Sequence, residues 1–420
     1  MSNLGLSILI GLFILGYLAI IFEFYVRVNK TAVGIALAGL LWMMYFLMGG
    51  DLDPSANLSH HLSEVSQVIF FLLGAMTLVE LIDSHRGFNT VIRMIHTTSK
   101  RKMLCIISIF TFFLSSVLDN LTTTILMISV LRKLVPEKKE RLTLNCMVVI
   151  AANAGGAWTP IGDVTTTMLW INHRVSTFAV ITQVFLPSLI AMIVPLGIFS
   201  FFTKGEYTSD QNDLFIEGSE PHATIVFTLG ILSFLAVPFL KWATGIPPYM
   251  GMLIGLAFLW LVTDILHHKE EGRKHLLVPH VLTKIDISSV LFFMGILLSI
   301  NALEMVGVLK GVAVWLDSVT SSGLAIATSI GLASAIIDNI PLVAATMGMY
   351  DLSSYGLDHP FWMMIAYTAG TGGSLLSIGS AAGVALMGIE KVDFISYMRK
   401  ATLPALIGYL MGVYYFRLIH

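Results

Sequence analysis

The sequence predicts an all-α polytopic membrane protein built from two inverted repeats. Each repeat contains a re-entrant hairpin and a discontinuous transmembrane helix. Three observations predict this. First, the 420 residues are 56% hydrophobic and only 12% charged, with mean hydropathy +0.84. A globular chain in water carries roughly 25% charged residues, so most of this surface faces lipid. Second, apolar runs of about 17 residues or more recur along the chain, and about 20 residues cross a bilayer core. Third, three polar motifs appear twice, in the same order, 217 to 221 residues apart. FFLLGAMTLVELI at 70–82 pairs with LFFMGILLSINAL at 291–303. SSVLDNLTTTILM at 115–127 pairs with SAIIDNIPLVAATM at 334–347, and AGGAWTPIGD at 154–163 with TGGSLLSIGS at 371–380.

The regular spans fall near 4–22, 31–49, 65–83, 178–202, 222–240, 246–263, 285–303 and 400–418. The N-terminal run lacks a basic start and a small-residue cleavage site, so it reads as a first span. Two stretches, 142–171 and 360–388, are interrupted by Gly-rich segments, and each is expected to cross once as a broken helix. Two more, 103–134 and 321–349, carry Asp-Asn at their middles. Residues 103–134 run between two basic loops, one with Arg86, Arg93 and 99–102, the other spanning 132–141. Because Lys and Arg concentrate on the cytoplasmic side, this segment is expected to enter halfway and return. Residues 321–349 end at the acidic loop 350–359 and are expected to enter from outside. The alternative is two short spans, or one long span, for each hairpin. The count is about ten crossings plus two hairpins, with both termini outside. Loop 51–64 reads as external, and Arg174 and Lys241 are single exceptions to the charge rule. The expected division is 1–64 as N-terminal scaffold spans, 65–205 as the first repeat and 206–284 as linking spans with a cytoplasmic loop. Residues from 222 onward enter the second repeat, which 285–420 completes.

Inverted repeats with broken helices around a midplane site are characteristic of secondary transporters. Gly155, Gly156, Pro160 and Gly162 break the first helix, and Gly372, Gly373 and Gly379 break the second. Such breaks expose free carbonyls on one side and N–H groups on the other, and they persist only where they line a cavity or are buried in protein. Asp119 and Asp338 lie at the hairpin tips and Asp163 beside the first break, with no Lys or Arg near them in sequence. A carboxylate at the membrane centre costs about 2.5–3.5 kcal/mol on insertion scales. Each must therefore be protonated, bind a cation, or alternate, and the last is cation/proton exchange. Capping of a half-helix is the structural role open to Asp119 and Asp338.

Asn120, Asn339 and Asn153 can offer a carbonyl to a cation or an N–H to the tips. Thr123 shares the helical face of Asp119. Thr122 is the second choice, and Thr124 is expected to pack. Thr159, Thr165 and Thr166 are weaker candidates, with Thr368, Ser377 and Ser380 as second-half counterparts. Ser380 stands opposite Asp163, which weights the cation site (Asp119, Asp163, Asp338) toward the first repeat. Pro341 starts the return arm. Glu80 reads either as a solvated helix end paired with Arg86 or as a cytoplasmic proton entry. The histidines His60, His61, His267, His268, His275, His280, His359 and His420 read as loop or terminal residues. Trp42, Tyr45, Trp170, Trp242, Tyr249, Trp260 and Trp362 read as membrane-interface anchors. Cys105 and Cys146 read as ordinary small residues. Net charge is −2, so nothing points to nucleic acid. There is no phosphate-binding Walker motif for ATP and no catalytic constellation, so the chain reads as a carrier and not an enzyme, without cofactor.

SSVLDNLTTTILM, AANAGGAWTPIGD and SAIIDNIP resemble the NhaD-type sodium/proton antiporters of bacteria. That group lies within the ion-transporter superfamily, which also holds arsenite permeases and divalent-anion/sodium symporters. The resemblance covers nearly the whole chain. It implies a homodimer in the bacterial inner membrane, with a scaffold domain and a transport domain that contains both hairpins and both broken helices. It also implies exchange of Na+ or Li+ for H+, most active at alkaline pH. The symporter relatives bind sodium at tips rich in Ser, Asn and Thr, with the anion between them. Asp119 and Asp338 occupy those tips here and disfavour an anion. An arsenite or sodium-coupled dicarboxylate carrier is the competing reading. Three carboxylates against one Na+ favour electrogenic exchange.

Overall fold

The computed structural model describes residues 3–21, 23, 27–48, 53–89, 97–135, 137–207, 220–268 and 271–420. Arg93 and the first two residues of the loop 51–64, used above for orientation, lie outside them. The described chain is helical, with no β-sheet beyond one isolated bridge between Ser99 and Glu206. Among the described residues, eight helices are long and apolar enough to cross a membrane. They are α1 (Asn3–Ile21), α2 (Lys30–Met48), α3 (Pro54–Ser84), α8 (Thr177–Phe202), α9 (Ala223–Thr244), α10 (Pro248–His267), α11 (Ile287–Met305) and α17 (Phe394–Ile419). Between them lie α4 (Lys100–Ser115), α5 (Asn120–Leu134), α6 (Lys138–Ala157), α7 (Val164–Ile171), α12 (Val308–Val319), α13 (Gly323–Ala333), α14 (Asn339–Met349), α15 (Pro360–Gly372) and α16 (Ala381–Glu390).

Interruptions at 158–163 and 373–380 separate α6 from α7 and α15 from α16, but Gly155 and Gly156, expected to break the first helix, lie inside α6, and Gly372 is the last residue of α15. The Asp-Asn motifs separate α4 from α5 and α13 from α14. Helices α6 and α15 are buried on every side over 144–157 and 361–372, as expected of helices apolar all round at the centre of a bundle. Helices α4, α5 and α8 pack on α6, and α13 packs on α15. Small residues make this close packing possible. A Cβ at Gly155 would meet the backbone of Phe112 in α4, and one at Gly372 would meet the backbone of Gly331 in α13. In a bilayer such contacts replace the hydrophobic effect as the source of helix association. A second group forms around α2, α3 and α9–α11. There Trp42 Nε1 donates to the Leu298 carbonyl at 2.9 Å and Thr31 Oγ1 to the Ser288 carbonyl at 3.0 Å.

Several expectations are corrected. Helix α3 starts at Pro54, well inside the segment read as a loop over 51–64. Asp53 caps it by accepting from Ala56 N at 3.0 Å, and Pro54 occupies the first helical position, where its missing N–H costs nothing. His60 and His61 therefore lie in a helix, and His61 is buried against Glu64 and Met305. His267 ends α10, buried 3.0 Å from His85. Four of the aromatic residues read as interface anchors are core residues: Trp42, Tyr45, Trp170 and Trp362 are each at most 5% exposed, whereas Trp242 is 81% exposed. Protein contacts, not headgroups, satisfy the ring N–H groups of Trp42 and Trp362.

The basic stretch 132–141 is partly consumed by the fold. Glu390, at the end of α16 and 2% exposed, accepts from Arg132 Nε at 2.8 Å and from Arg141 Nη2 at 2.8 Å. This network ties α16 to the α5–α6 turn, and removing one partner of such a buried pair costs about 3–5 kcal/mol. Both cysteines are free thiols.

Candidate functional site

The site is built where the two broken helices and the two Asp-Asn segments meet. Asp163 is 1% exposed and begins α7 as its N-cap. Its Oδ1 accepts from Thr165 N at 2.9 Å and from Thr165 Oγ1 at 2.9 Å. Its Oδ2 accepts from Asn120 Nδ2 at 2.8 Å and from Asn339 Nδ2 at 3.4 Å. Asn120 also donates to Asn153 Oδ1 at 3.0 Å, and Asn153 Nδ2 donates to Ser380 Oγ at 2.9 Å. Asn120, Asn153, Asp163, Thr165, Asn339 and Ser380, drawn from both halves, thus form one buried network. A carboxylate can be buried only when its oxygens are satisfied, and here four donors do so.

The other two carboxylates stand outside this network. Asp119 caps α5, accepting from Thr122 N at 2.8 Å and from Thr122 Oγ1 at 2.7 Å. Asp338 caps α14, accepting from Ile340 N at 3.1 Å. The capping role is therefore present at both. Thr123 and Thr124 are buried with hydroxyls that have no hydrogen-bond partner among the described residues. The free carbonyls expected at the first break are in part occupied. Thr166 Oγ1 donates to Ala157 O at 3.2 Å and Thr167 Oγ1 to Pro160 O at 2.8 Å, while Thr159 Oγ1, within the break, donates to Ser116 O at the end of α4 at 2.5 Å. The site consequently offers amides and carboxylates more than bare carbonyls. Thr368 bonds to the backbone of Ala327 and Met364, and Ser377 lies 3.1 Å from Met387 Sδ; neither joins the network.

A cavity of 640 Å³ opens beside this junction, between α3, α5, the start of α11 and α16. Asp338, Thr122 and Ala381 line it, together with Glu23, Glu80, Asp83, Asp286, Lys30 and Lys284. Five carboxylates and two ammonium groups give its wall an excess of negative charge, which raises the local cation concentration. Glu80 lies in this wall with Lys284 Nζ at 3.6 Å, so the cation beside it comes from the loop before α11. Sequence alone could not have found that pairing, because 204 positions separate the two residues. Glu390 was also missed. An acid closing an apolar helix just before a basic residue was the available signal.

Comparison with known proteins adds the family. A model described as "Citrate transporter" matches residues 17–370. Sodium/proton antiporter 2 of Arabidopsis thaliana is 48% identical over 97% of this chain and 98% of its own length. Sodium/proton antiporter 1 of the same plant is 48% identical over 100% of this chain and 73% of its own length. The Na(+)/H(+) antiporter NhaD of Vibrio cholerae is 32% identical over 98% of this chain and 91% of its own length. All three relatives are antiporters by name. The chain belongs to the NhaD-type sodium/proton antiporters of the ion-transporter superfamily.

Proposed function

We propose that the protein exchanges Na+, and also Li+, for H+ by alternating access, and that Asp163 is the central ion-exchanging carboxylate. The observation that carries this reading is the network around Asp163. It is a buried carboxylate with no ion pair among the described residues, held by amides from Asn120 and Asn339. An amide that donates N–H to a carboxylate can rotate and offer its oxygen to a cation. Asn120, Asn153 and Asn339 are therefore suited to trade hydrogen bonds for sodium ligands. Proton and cation compete for the same oxygens, since each stabilises what the other displaces. Asp338 and Thr122, in the cavity wall, are the first groups an entering cation meets, and Asp119 supplies a third carboxylate beside them.

The remaining parts of the reading follow from the charge pattern. Lys30 and Lys284 lie at the cavity, so by the positive-inside rule it faces the cytoplasm and the conformer is open inward. The segments holding α4–α5 and α13–α14 are re-entrant hairpins in inverted repeats, and together with the broken helices they form the transport domain. Both termini lie outside. The protein is a homodimer of the bacterial inner membrane, and exchange is electrogenic.

A carboxylate carrier is favoured by the description of the family model and by a cavity large enough for an organic acid. It is opposed by the carboxylates of the wall and by the pairing of Lys284 with Glu80. Proteoliposomes with a preformed pH gradient separate the two. Adding Na+ should dissipate the gradient with no organic anion present. Citrate uptake with no response to Na+ would overturn the antiport reading.

A further inference from the structure

Two cations broke the charge rule in the sequence, and the structure gives both a position at a helix end. Helix α7 runs from its N-cap, Asp163, to a C-terminal turn where Lys241 Nζ donates to the Trp170 carbonyl at 2.9 Å. The same ammonium sits 4.2 Å from the centroid of the Trp170 ring. Helix α14 runs from its N-cap, Asp338, to a last turn where Arg174 Nη2 donates to the Met347 carbonyl at 3.2 Å. Arg174 lies 4.7 Å from the Trp362 ring. Each helix thus has a carboxylate at its positive end and a cation on a tryptophan face at its negative end, which complements its dipole.

The two contacts differ in where they come from. Arg174 follows α7 itself and reaches α14 and α15, which also carry the junction. Lys241 belongs to α9, which packs on α10 and α3. Its contact therefore joins the α3–α9–α10 group to the outer end of the helix whose inner end is Asp163. No carboxylate pairs with Lys241 among the described residues, so the contact depends on alignment of a carbonyl and a ring, and a shift of α7 along α9 breaks it.

We propose that Lys241 is a positioning residue that latches α7 in the conformer with the cavity open, so that it sets the balance between the two access states. This rests on the alternating-access reading above, but its test does not require transport. Spin labels at Thr244→Cys in α9 and His173→Cys after α7, with Cys105→Ser and Cys146→Ala, report the distance across the latch in lipid nanodiscs. Lys241→Gln should raise the share of a longer-distance population relative to the short one by about three- to tenfold, the loss of one cation–π contact and one helix-end charge. Lys241→Arg should keep the wild-type distribution. In vesicles Lys241→Gln should weaken apparent sodium affinity from the cavity side while the maximal rate stays within about twofold, a split that a general loss of fold does not produce. Trp170→Phe, which weakens the ring contact only, should shift the distances in the same direction and serves if Lys241→Gln fails to fold. Unchanged distances in a folded variant would overturn the latch. A distance shift in a protein that moves no protons on sodium addition would leave the latch standing and remove the antiport reading.

Discussion

Replacing Asp163 with Asn tests the centre of the mechanism, and its two effects can be estimated separately. The variant keeps one oxygen, which can continue to accept from Thr165 N and Thr165 Oγ1. Its new amide group then faces the Nδ2 atoms of Asn120 and Asn339, donor against donor. The network can adapt if Asn120 and Asn153 both turn their amides over, leaving the Ser380 hydroxyl to donate where it now accepts. Only the Asn339 branch, already long at 3.4 Å, is left without a partner. One unsatisfied buried group costs about 1–3 kcal/mol, so the variant should still fold and insert, with lower thermal stability. The functional loss is larger. Two unit charges about 4 Å apart interact by about 4 kcal/mol at an effective dielectric constant near 20. At about 1.4 kcal/mol per decade, sodium affinity should fall by roughly a thousandfold. The assay is sodium-dependent proton movement in proteoliposomes, with thermal unfolding measured in parallel. Adding Asn120→Asp to Asp163→Asn restores one carboxylate one position away in the network, and it should recover stability without recovering turnover. Normal exchange in Asp163→Asn would refute the assignment of Asp163.

Other substitutions probe the surroundings. Ser380→Ala removes the acceptor of Asn153 and the cap of Gly383 N; it should lower stability by about 1 kcal/mol and leave exchange measurable. Gly155→Ala drives a methyl group into the Phe112 backbone. It should prevent recovery of folded protein by size-exclusion chromatography, whereas Gly311→Ala, with open space around it, should not. Cysteines at Lys100 and Glu137 should react with an impermeant thiol reagent from the cytoplasmic face, and cysteines at Thr320 and Leu352 from the opposite face. Labelling of the first two from opposite faces would make 103–134 a true span and would remove the inverted-repeat reading.

The sequence alone determined the class of protein, because too few polar residues are present to cover a water-facing surface. It also located where the helices stop. Asp119 and Asp338 ahead of Asn120 and Asn339 act through capping, which needs no tertiary contact, whereas Gly155 and Gly372 lie within helices and act through close packing that only the fold reveals. Even local signals were misread where polar composition masked them, as at Asp53-Pro54, where a helix start looked like a loop. Which carboxylate stands at the junction was decided only in three dimensions. Asp163, Asp119 and Asp338 look alike in sequence, but only Asp163 receives amides from both halves of the chain, through contacts spanning 43 and 176 positions. The pairing of Glu390 with Arg132 and Arg141, and of Lys241 with Trp170, has the same origin. A residue's neighbours along the chain set its local conformation, whereas a charge buried in a bilayer is governed by whatever packing brings within hydrogen-bond reach.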